Sequence, residues 1–310
     1  RALDMDIEAL FHGEGHAPAP LSEDENIAGQ EPTEQADVWN MPEWILPEFE
    51  RSLGEAAAET AALLQSRAPI TLRVNVGKCN VNQAAADLAE IGIETQANPV
   101  CSTALTITSG ERKLRNSPAY LEGWVELQDA SSQAIVADLP EAVQVLDYCA
   151  GGGGKSLALA AEGHQVIAHD INFDRMMDIP ARAERAGTSI KLLATDMIEA
   201  EGLFEVVLVD APCSGSGSWR RDPAGKWNIS PTSLTDVCDL QRKILVQAAE
   251  FVAADGYLAY ATCSFLPDEN TDQVKAFLEA DPKWRLTTEK QFLPTPQGDG
   301  FYIAILKRLH

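Results

Sequence analysis

The sequence has no apolar run near the roughly 18 residues that a membrane-crossing helix needs, so no spanning segment is expected. It also lacks any C-x-x-C pair. Its six cysteines (79, 101, 149, 213, 238 and 263) stand apart, which argues against a structural zinc site and against a dense disulfide scaffold. No metal is therefore expected, and a reducing cytoplasm suits such cysteine usage. The first residues, RALDMDIEAL, are acidic, with neither a basic flank nor a long apolar stretch, so no secretory signal is read there. Positive charge is scarce: 24 Lys and Arg stand against 47 Asp and Glu, a formal charge of −23. The deficit is lopsided, because residues 1–60 hold 15 acidic and 2 basic side chains, leaving 32 and 22 for the other 250. Loose, nonspecific nucleic-acid binding is disfavoured, while a local basic groove stays open.

At 310 residues with 45% hydrophobic content, the chain suits one large domain plus a small one. Residues 1–40 mix short apolar stretches with HAPAPLSEDE and GQEPTEQAD, a linker-like composition. MPEWILPEFERSLGEAAAETAALLQSRA then has an alanine-rich, charge-spaced helical pattern. PITLRVNV, ALTIT and GWVELQD read as strands and NQAAADLAEIG as a helix, giving a small α+β module over 68–130. After Ser131 apolar strands (VQVLDY, HQVIAHD, IKLLATD, FEVVLVD, YLAYATC) alternate with helical stretches, the pattern of an open, mostly parallel sheet covered on both faces. Pro180 is expected to interrupt the helical run after Asp170. FYIAILKR alternates like an edge or antiparallel strand. The expected division is an acidic, partly helical segment over 1–67, the small module over 68–130 and the α/β domain over 131–310.

Ligands of such sheets bind beyond the carboxyl ends of the strands. Asp147 and the glycines after it, Asp170, Asp196, Asp210 with Cys213, and Cys263 all fall there. CAGGGGKS, residues 149–156, comes close to a phosphate-cradling P-loop, but Cys149 stands where that loop needs its first glycine. Glycines let the backbone approach a ligand, and a helix starting near Lys155 points its amides at an anionic group. Asp170 follows Gly151 by 19 residues, at the end of the second strand of the domain, where a carboxylate can accept both ribose hydroxyls. The layout is that of a nucleoside site.

Cys79, Cys101 and Cys238 read as small buried hydrophobes, and Cys149 as packing. Cys213 and Cys263 differ. Each lies directly past an apolar strand, in PCSGSG and TCSFLPDEN, where a thiolate beside cations or a helix N-terminus is activated. Two such thiols beside a nucleoside cofactor suggest attack on carbon 6 of a pyrimidine, which makes carbon 5 nucleophilic enough to accept a methyl group. Asp210 is placed to favour that addition from the ring-nitrogen side.

VLDYCAGGGGKS, AHDI, VDAPCSGSGSWRRDP, KW and YATCSFLPDEN resemble, in order and spacing, the signatures of the RsmB/Nop2/Sun family of S-adenosylmethionine-dependent RNA (cytosine-5)-methyltransferases. WVELQDASSQAIVADL and DGFYIAILKR are similar to its flanking segments, so the resemblance spans roughly residues 40–308. It implies a Rossmann-like class I methyltransferase domain preceded by an RRM-like α+β module. It also implies methylation of ribosomal (16S) RNA from S-adenosylmethionine through a covalent cysteine–cytosine adduct. Cys263 would be the nucleophile, Cys213 the thiol that helps release product, and Asp210 a contact to the base, with Lys155 near it. Cys149, Ala150, Gly151, Gly152, Gly153, Gly154 and Lys155 would hold the methionine part of the cofactor, Asp170 its ribose and Asp196 its adenine, with Asp210 alongside. Arg220, Arg221 and Lys226 would line the RNA path, and Arg112, Lys113 and Arg115 extend that basic surface. Gly151 and Gly152 replace the family's usual Ala or Ser followed by Pro, which implies a more flexible loop. A cytoplasmic monomer with RNA as partner, without membrane or metal, is expected. An RNA-binding assembly factor without turnover, a tRNA substrate, DNA methylation and a P-loop nucleotidase are the competing readings.

Overall fold

The computed structural model describes residues 6–25 and 31–309. The first five residues of RALDMDIEAL, residues 26–30 of the acidic segment and His310 lie outside them. Residues Arg1–Val38 form a unit of their own. Its helix Ile7–Leu10 is capped by the Asp6 carboxylate, which accepts the Glu8 amide at 3.0 Å.

The second unit, Trp39–His310, holds two sheets. The smaller has β1 (Ile70–Val74), β2 (Glu94–Ala97), β3 (Ala104–Ser109) and β4 (Val125–Leu127) in the order β2-β3-β1-β4, all antiparallel. Helix Val81–Glu90, started by a capping box between Asn80 and Gln83, puts Ala84 and Leu88 against Leu72, Val74, Leu105 and Val125. With helix Pro118–Leu121 between β3 and β4, the chain order is the split β-α-β of ferredoxin-like modules. Strand β2, ETQA, was not expected; it has no apolar alternation and lies on an edge, held by β3 alone.

The larger sheet contains β5 (Gln144–Asp147), β6 (Gln165–His169), β7 (Lys191–Leu193), β8 (Phe204–Asp210), β9 (Val252–Thr262), β10 (Trp284–Phe292) and β11 (Phe301–Arg308), ordered β10-β11-β9-β8-β5-β6-β7. β5 to β9 run parallel, and β11 lies antiparallel between β9 and β10. FYIAILKR is therefore antiparallel, but the edge belongs to β10, WRLTTEKQF, whose exposed outer face hid it from a hydrophobicity pattern. The period of two divides each strand between two cores. Val145, Val206, Leu208 and Ile303 face helices Ala130–Ala137 and Gly154–Ala161, while Leu146, Val207, Val209 and Tyr260 face helices Pro231–Ala249 and Thr271–Ala280. Burying each such side chain contributes about 1.5–3 kcal/mol.

The helical run after Asp170 is interrupted just before Pro180, as expected: the turn Phe173–Met176 ends, and a new helix, Ile179–Ala186, starts with Pro180 in its first turn, where the missing N–H costs nothing. One helix boundary corrects the sequence expectations. The helical stretch after Met41 is broken at Gly54, whose φ of 53° is left-handed, into Leu46–Leu53 and Ala57–Leu64. Phe49, Leu53 and Ala61 then pack with Trp219, Leu234 and Phe265 of the large domain, with Phe49 and Phe265 edge-to-face at 5.3 Å. Chain order reverses where β5 meets β8, so the crevice of the parallel sheet opens beyond Asp147 and Asp210.

Candidate active site

The polar residues expected at strand ends stand at or shortly past the carboxyl ends of β5, β6, β7, β8 and β9. The loop after β5 rises through Gly151 (φ 52°) and Gly153 (φ 79°) into helix Gly154–Ala161, whose first-turn amides have no partner within the helix. A Cβ at Gly153 would come within 2.6 Å of Ile179, so only glycine fits there. Asp170 Oδ2 accepts the Gly151 amide and Arg175 Nη1, each at 3.0 Å, and the Gly152 carbonyl accepts from Arg182. Two of these bonds, from the Gly151 amide and to the Gly152 carbonyl, tether the loop expected to be flexible. Asp170 is buried, but Ile171 beside it is 84% exposed, and Met197, beside the exposed Asp196, is 52% exposed. Cys149 packs against the core, and burial pushes its thiol up from the ordinary range.

Asp147, at the end of β5, is fully buried. Its Oδ2 accepts the Ser156 hydroxyl at 2.6 Å, while its Oδ1 has no hydrogen-bond partner. Burial raises its pKa to about 7, against the lowering effect of Ser156. Lys155 Nζ donates to Asp210 Oδ2 at 2.6 Å and lies 5.2 Å from the centroid of the Phe301 ring. Burial alone would lower the Lys155 pKa, but the charge and hydrogen bond of Asp210 outweigh it and the net shift is upward.

The two thiols expected to be reactive meet: Cys213 Sγ and Cys263 Sγ are 3.3 Å apart. Hydrogen bonding between them splits their acidities. Cys263 is lowered by the Cys213 S–H and further by Lys155 and Ser218, against burial and Asp210. Cys213 is raised by that same bond, then by burial and the charge of Cys263. A cavity of about 710 Å³ opens onto Cys263, Ser218, Arg221 and Phe301 from the large domain and Thr71, Leu127, Arg112 and Arg115 from the small one. Cys213 is not in its lining.

The remaining expected cations are placed unequally. Arg220 is turned inward, its Nε on Asp299 Oδ1 at 2.6 Å and its Nη1 on the Thr295 carbonyl at 2.8 Å. Lys226 is buried, which lowers its pKa. Lys113 Nζ donates to the Ile91 carbonyl at 2.9 Å. Arg112, Arg115 and Arg221 are the cations that face the cavity, the last also paired with Asp129 and Asp299. Ser218, Arg175 and Asp299 were not expected in the site; only their neighbourhood to the motifs marked them. Among the described residues no group of three His, Cys, Asp or Glu side chains is placed to hold a metal ion, and no helix is long and apolar enough to cross a membrane.

An open, mostly parallel sheet with a glycine loop after its first strand, acidic residues at successive strand ends and a small α+β module alongside is the architecture of a class I methyltransferase. The family model described as 16S rRNA methyltransferase RsmB/F matches residues 134–307, and that of the RsmF/B-like ferredoxin-like domain matches residues 41–112. The chain belongs to the RsmB/F methyltransferase family. It is 32% identical over 302 residues to ribosomal RNA small subunit methyltransferase B of Vibrio cholerae serotype O1, covering 92% of this chain and 69% of that one. Its identity to the Klebsiella pneumoniae (strain 342) protein of the same name is 33% over 285 residues, covering 86% of this chain and 66% of that one. Among solved structures it resembles PH0851, with a TM-score of 0.82 at 26% identity over 91% of this chain and 70% of that one. A methyltransferase homolog protein from Pyrococcus horikoshii shares the fold, with a TM-score of 0.75 at 21% identity over 88% of this chain and 97% of that one.

Proposed function

We propose that the protein transfers a methyl group to carbon 5 of a cytosine in small-subunit ribosomal RNA through a covalent bond from Cys263 to carbon 6. The observation that carries this reading is the pair of thiols 3.3 Å apart, of which only Cys263 lines the cavity. S-adenosylmethionine, when bound, supplies an electrophilic methyl group.

The residues beyond β5 and β6 fit that cofactor. The unpartnered Oδ1 of Asp147 is a buried acceptor suited to the ammonium of the methionine moiety. Asp170 suits the ribose hydroxyls, and exposed Ile171 beside it offers an apolar face to a purine. Asp170→Ala is expected to weaken S-adenosylmethionine binding by about 1.5–3 kcal/mol, since it removes charge-assisted hydrogen bonds. Titration calorimetry reads this directly; an unchanged affinity would take Asp170 out of the cofactor site.

Cys263 as thiolate forms the S–C6 bond, and the electron pair of the ring's C5=C6 bond shifts towards carbon 5 and the amide edge. Lys155 and Asp210 are assigned to that edge, where their paired charges orient the base and stabilise the addition. Carbon 5 takes the methyl group and still carries its hydrogen. Cys213, after releasing its own proton to solvent, removes the proton from carbon 5; the pair of the C5–H bond restores the double bond, and the C6–S bond breaks with its electrons returning to Cys263. A base must leave its stack to reach these thiols, so a single-stranded or loop cytosine is the expected target, its flanking phosphates towards Arg112, Arg115 and Arg221.

The test is nucleoside mass spectrometry with bisulfite mapping, after 16S ribosomal RNA is incubated with the protein and S-adenosylmethionine. A new 5-methylcytosine at one position is the expected result. Methyl transfer to another atom or base would overturn the cytosine assignment. No transfer to ribosomal RNA, with transfer to tRNA, would overturn the substrate.

A further inference from the structure

The PDEN stretch after Cys263 has no part in the chemistry above, yet it holds Glu269, a carboxylate 0% exposed to solvent. Among the described residues no Lys or Arg forms an ion pair with it. Removing a carboxylate from water without a cation is costly, so the hydrogen bonds that compensate must be close to complete. They come from both thiol loops. Oε1 accepts the Ser214 amide at 2.7 Å and Gln241 Nε2 at 3.1 Å; Oε2 accepts the Ser264 hydroxyl at 2.6 Å and the Ser214 hydroxyl. Ser214 follows Cys213 and Ser264 follows Cys263.

We propose that Glu269 is the positioning residue of the two-thiol site: by binding Ser214 and Ser264 together it sets the separation of the sulfurs. The proposal rests on the two-thiol reading given above. The carboxylate is itself fixed from behind. The Tyr260 hydroxyl donates to the Glu269 carbonyl at 2.6 Å, and Asn270 donates from Nδ2 to the Ser264 carbonyl at 2.9 Å while accepting Thr262 Oγ1 at 2.6 Å. Gln241, which bonds Oε1, also donates to the Pro212 carbonyl at 2.9 Å, so the segments on both sides of Cys213 are tied to one group. A neutral amide could fill the same volume, but only a carboxylate accepts from all four donors. Its negative charge beside Cys213 also disfavours a thiolate there, which leaves the S–H available to donate to Cys263. The acidity of Cys213 agrees: after the bond to Cys263, burial and the charge of Cys263, Glu269 adds to its upward shift.

Glu269→Gln keeps the shape and removes both the charge and one acceptor. In the purified full chain it is expected to bind S-adenosylmethionine within about two-fold of the parent while losing on the order of 100-fold in kcat, with KM for RNA little changed, the scale of a misplacement near 1 Å. The pH at which Cys213 becomes half-reactive towards iodoacetamide, followed by peptide mass spectrometry, should move down. Ser214→Ala, which deletes one donor and leaves the carboxylate, should lose activity less and move the profile little. A Gln variant with parental turnover and an unmoved Cys213 profile overturns the proposal, as does one that loses cofactor binding together with activity. The alkylation profile is read without RNA, so it decides the role of Glu269 even if the base methylated is not cytosine; failure of parental protein to methylate cytosine would instead count against the underlying reading.

Discussion

Cys213→Ala is expected to accumulate a protein–RNA adduct that survives denaturing electrophoresis, and Cys263→Ala to form none. Cys263 alone faces the cavity, and its acidity is increased by the Cys213 S–H, by Lys155 and by Ser218. Without Cys213 the latter two influences remain, so the S–C6 bond still forms, more slowly. What is lost is the base that takes the proton from carbon 5. Such a proton transfer is worth on the order of 10²–10⁴-fold in rate, so turnover falls by that factor while the adduct persists. In the intact enzyme the same geometry times the second step. Before attack, the bond to Cys263 is the largest influence keeping the proton on Cys213. Once the Cys263 sulfur is bound to carbon, its negative charge is gone and Cys213 is freer to ionise. Incubating each variant with RNA and S-adenosylmethionine and resolving the products on denaturing gels tests this. An adduct from Cys263→Ala and none from Cys213→Ala would make Cys213 the nucleophile.

The thiols, the glycine loop and the acidic strand ends were legible because a parallel sheet places its functional residues by rule: they follow apolar strands at the carboxyl end, and VLDY, VIAHD, VVLVD and LAYATC are unmistakable apolar runs. Elements without such a run were not. β10 alternates threonines and charges with its few apolar residues, and its pairing with β11 is a long-range fact that no local pattern carries. The partners of charged residues were equally hidden. Arg220 in SWRRDP reads like an RNA contact until Asp299, 79 residues on, is seen to claim it. Glu269 carries no local signal in the sequence, because its burial depends on serines that follow two different strands. The break at Gly54 was visible only as one glycine in an alanine-rich stretch, and a glycine within a helical pattern is commonly tolerated.

The cofactor-free protein is expected to lose stability as pH rises from about 4 to 7, and Asp147→Asn to remove the largest share of that loss. The Asp147 carboxyl is held at about 7 by burial, whereas in the unfolded chain it titrates near the ordinary value of about 3.9. Between those values the native state holds a proton that the unfolded state has released. Stability must then fall with increasing pH and level off above about 7, with a total on the order of 4 kcal/mol from a shift of about three units. The asparagine variant carries no ionisable group there, so at pH 8 it should be the more stable of the two without cofactor, as read by urea unfolding. S-adenosylmethionine should reverse the order. A cationic ammonium beside the unpartnered Oδ1 favours the ionised carboxylate, so parental affinity should rise between pH 5.5 and 8, and the asparagine variant should lose that rise along with much of its affinity. Parental stability that climbs over the same interval, or an asparagine variant that binds the cofactor as tightly as the parent at pH 8, would show that Asp147 is neither a strained carboxylate nor the acceptor for the ammonium. The trade follows from burial: the group that weakens the empty fold is the one whose ionised form the cofactor's positive charge stabilises, which couples cofactor binding to the folding of the loop that carries Gly151 to Lys155.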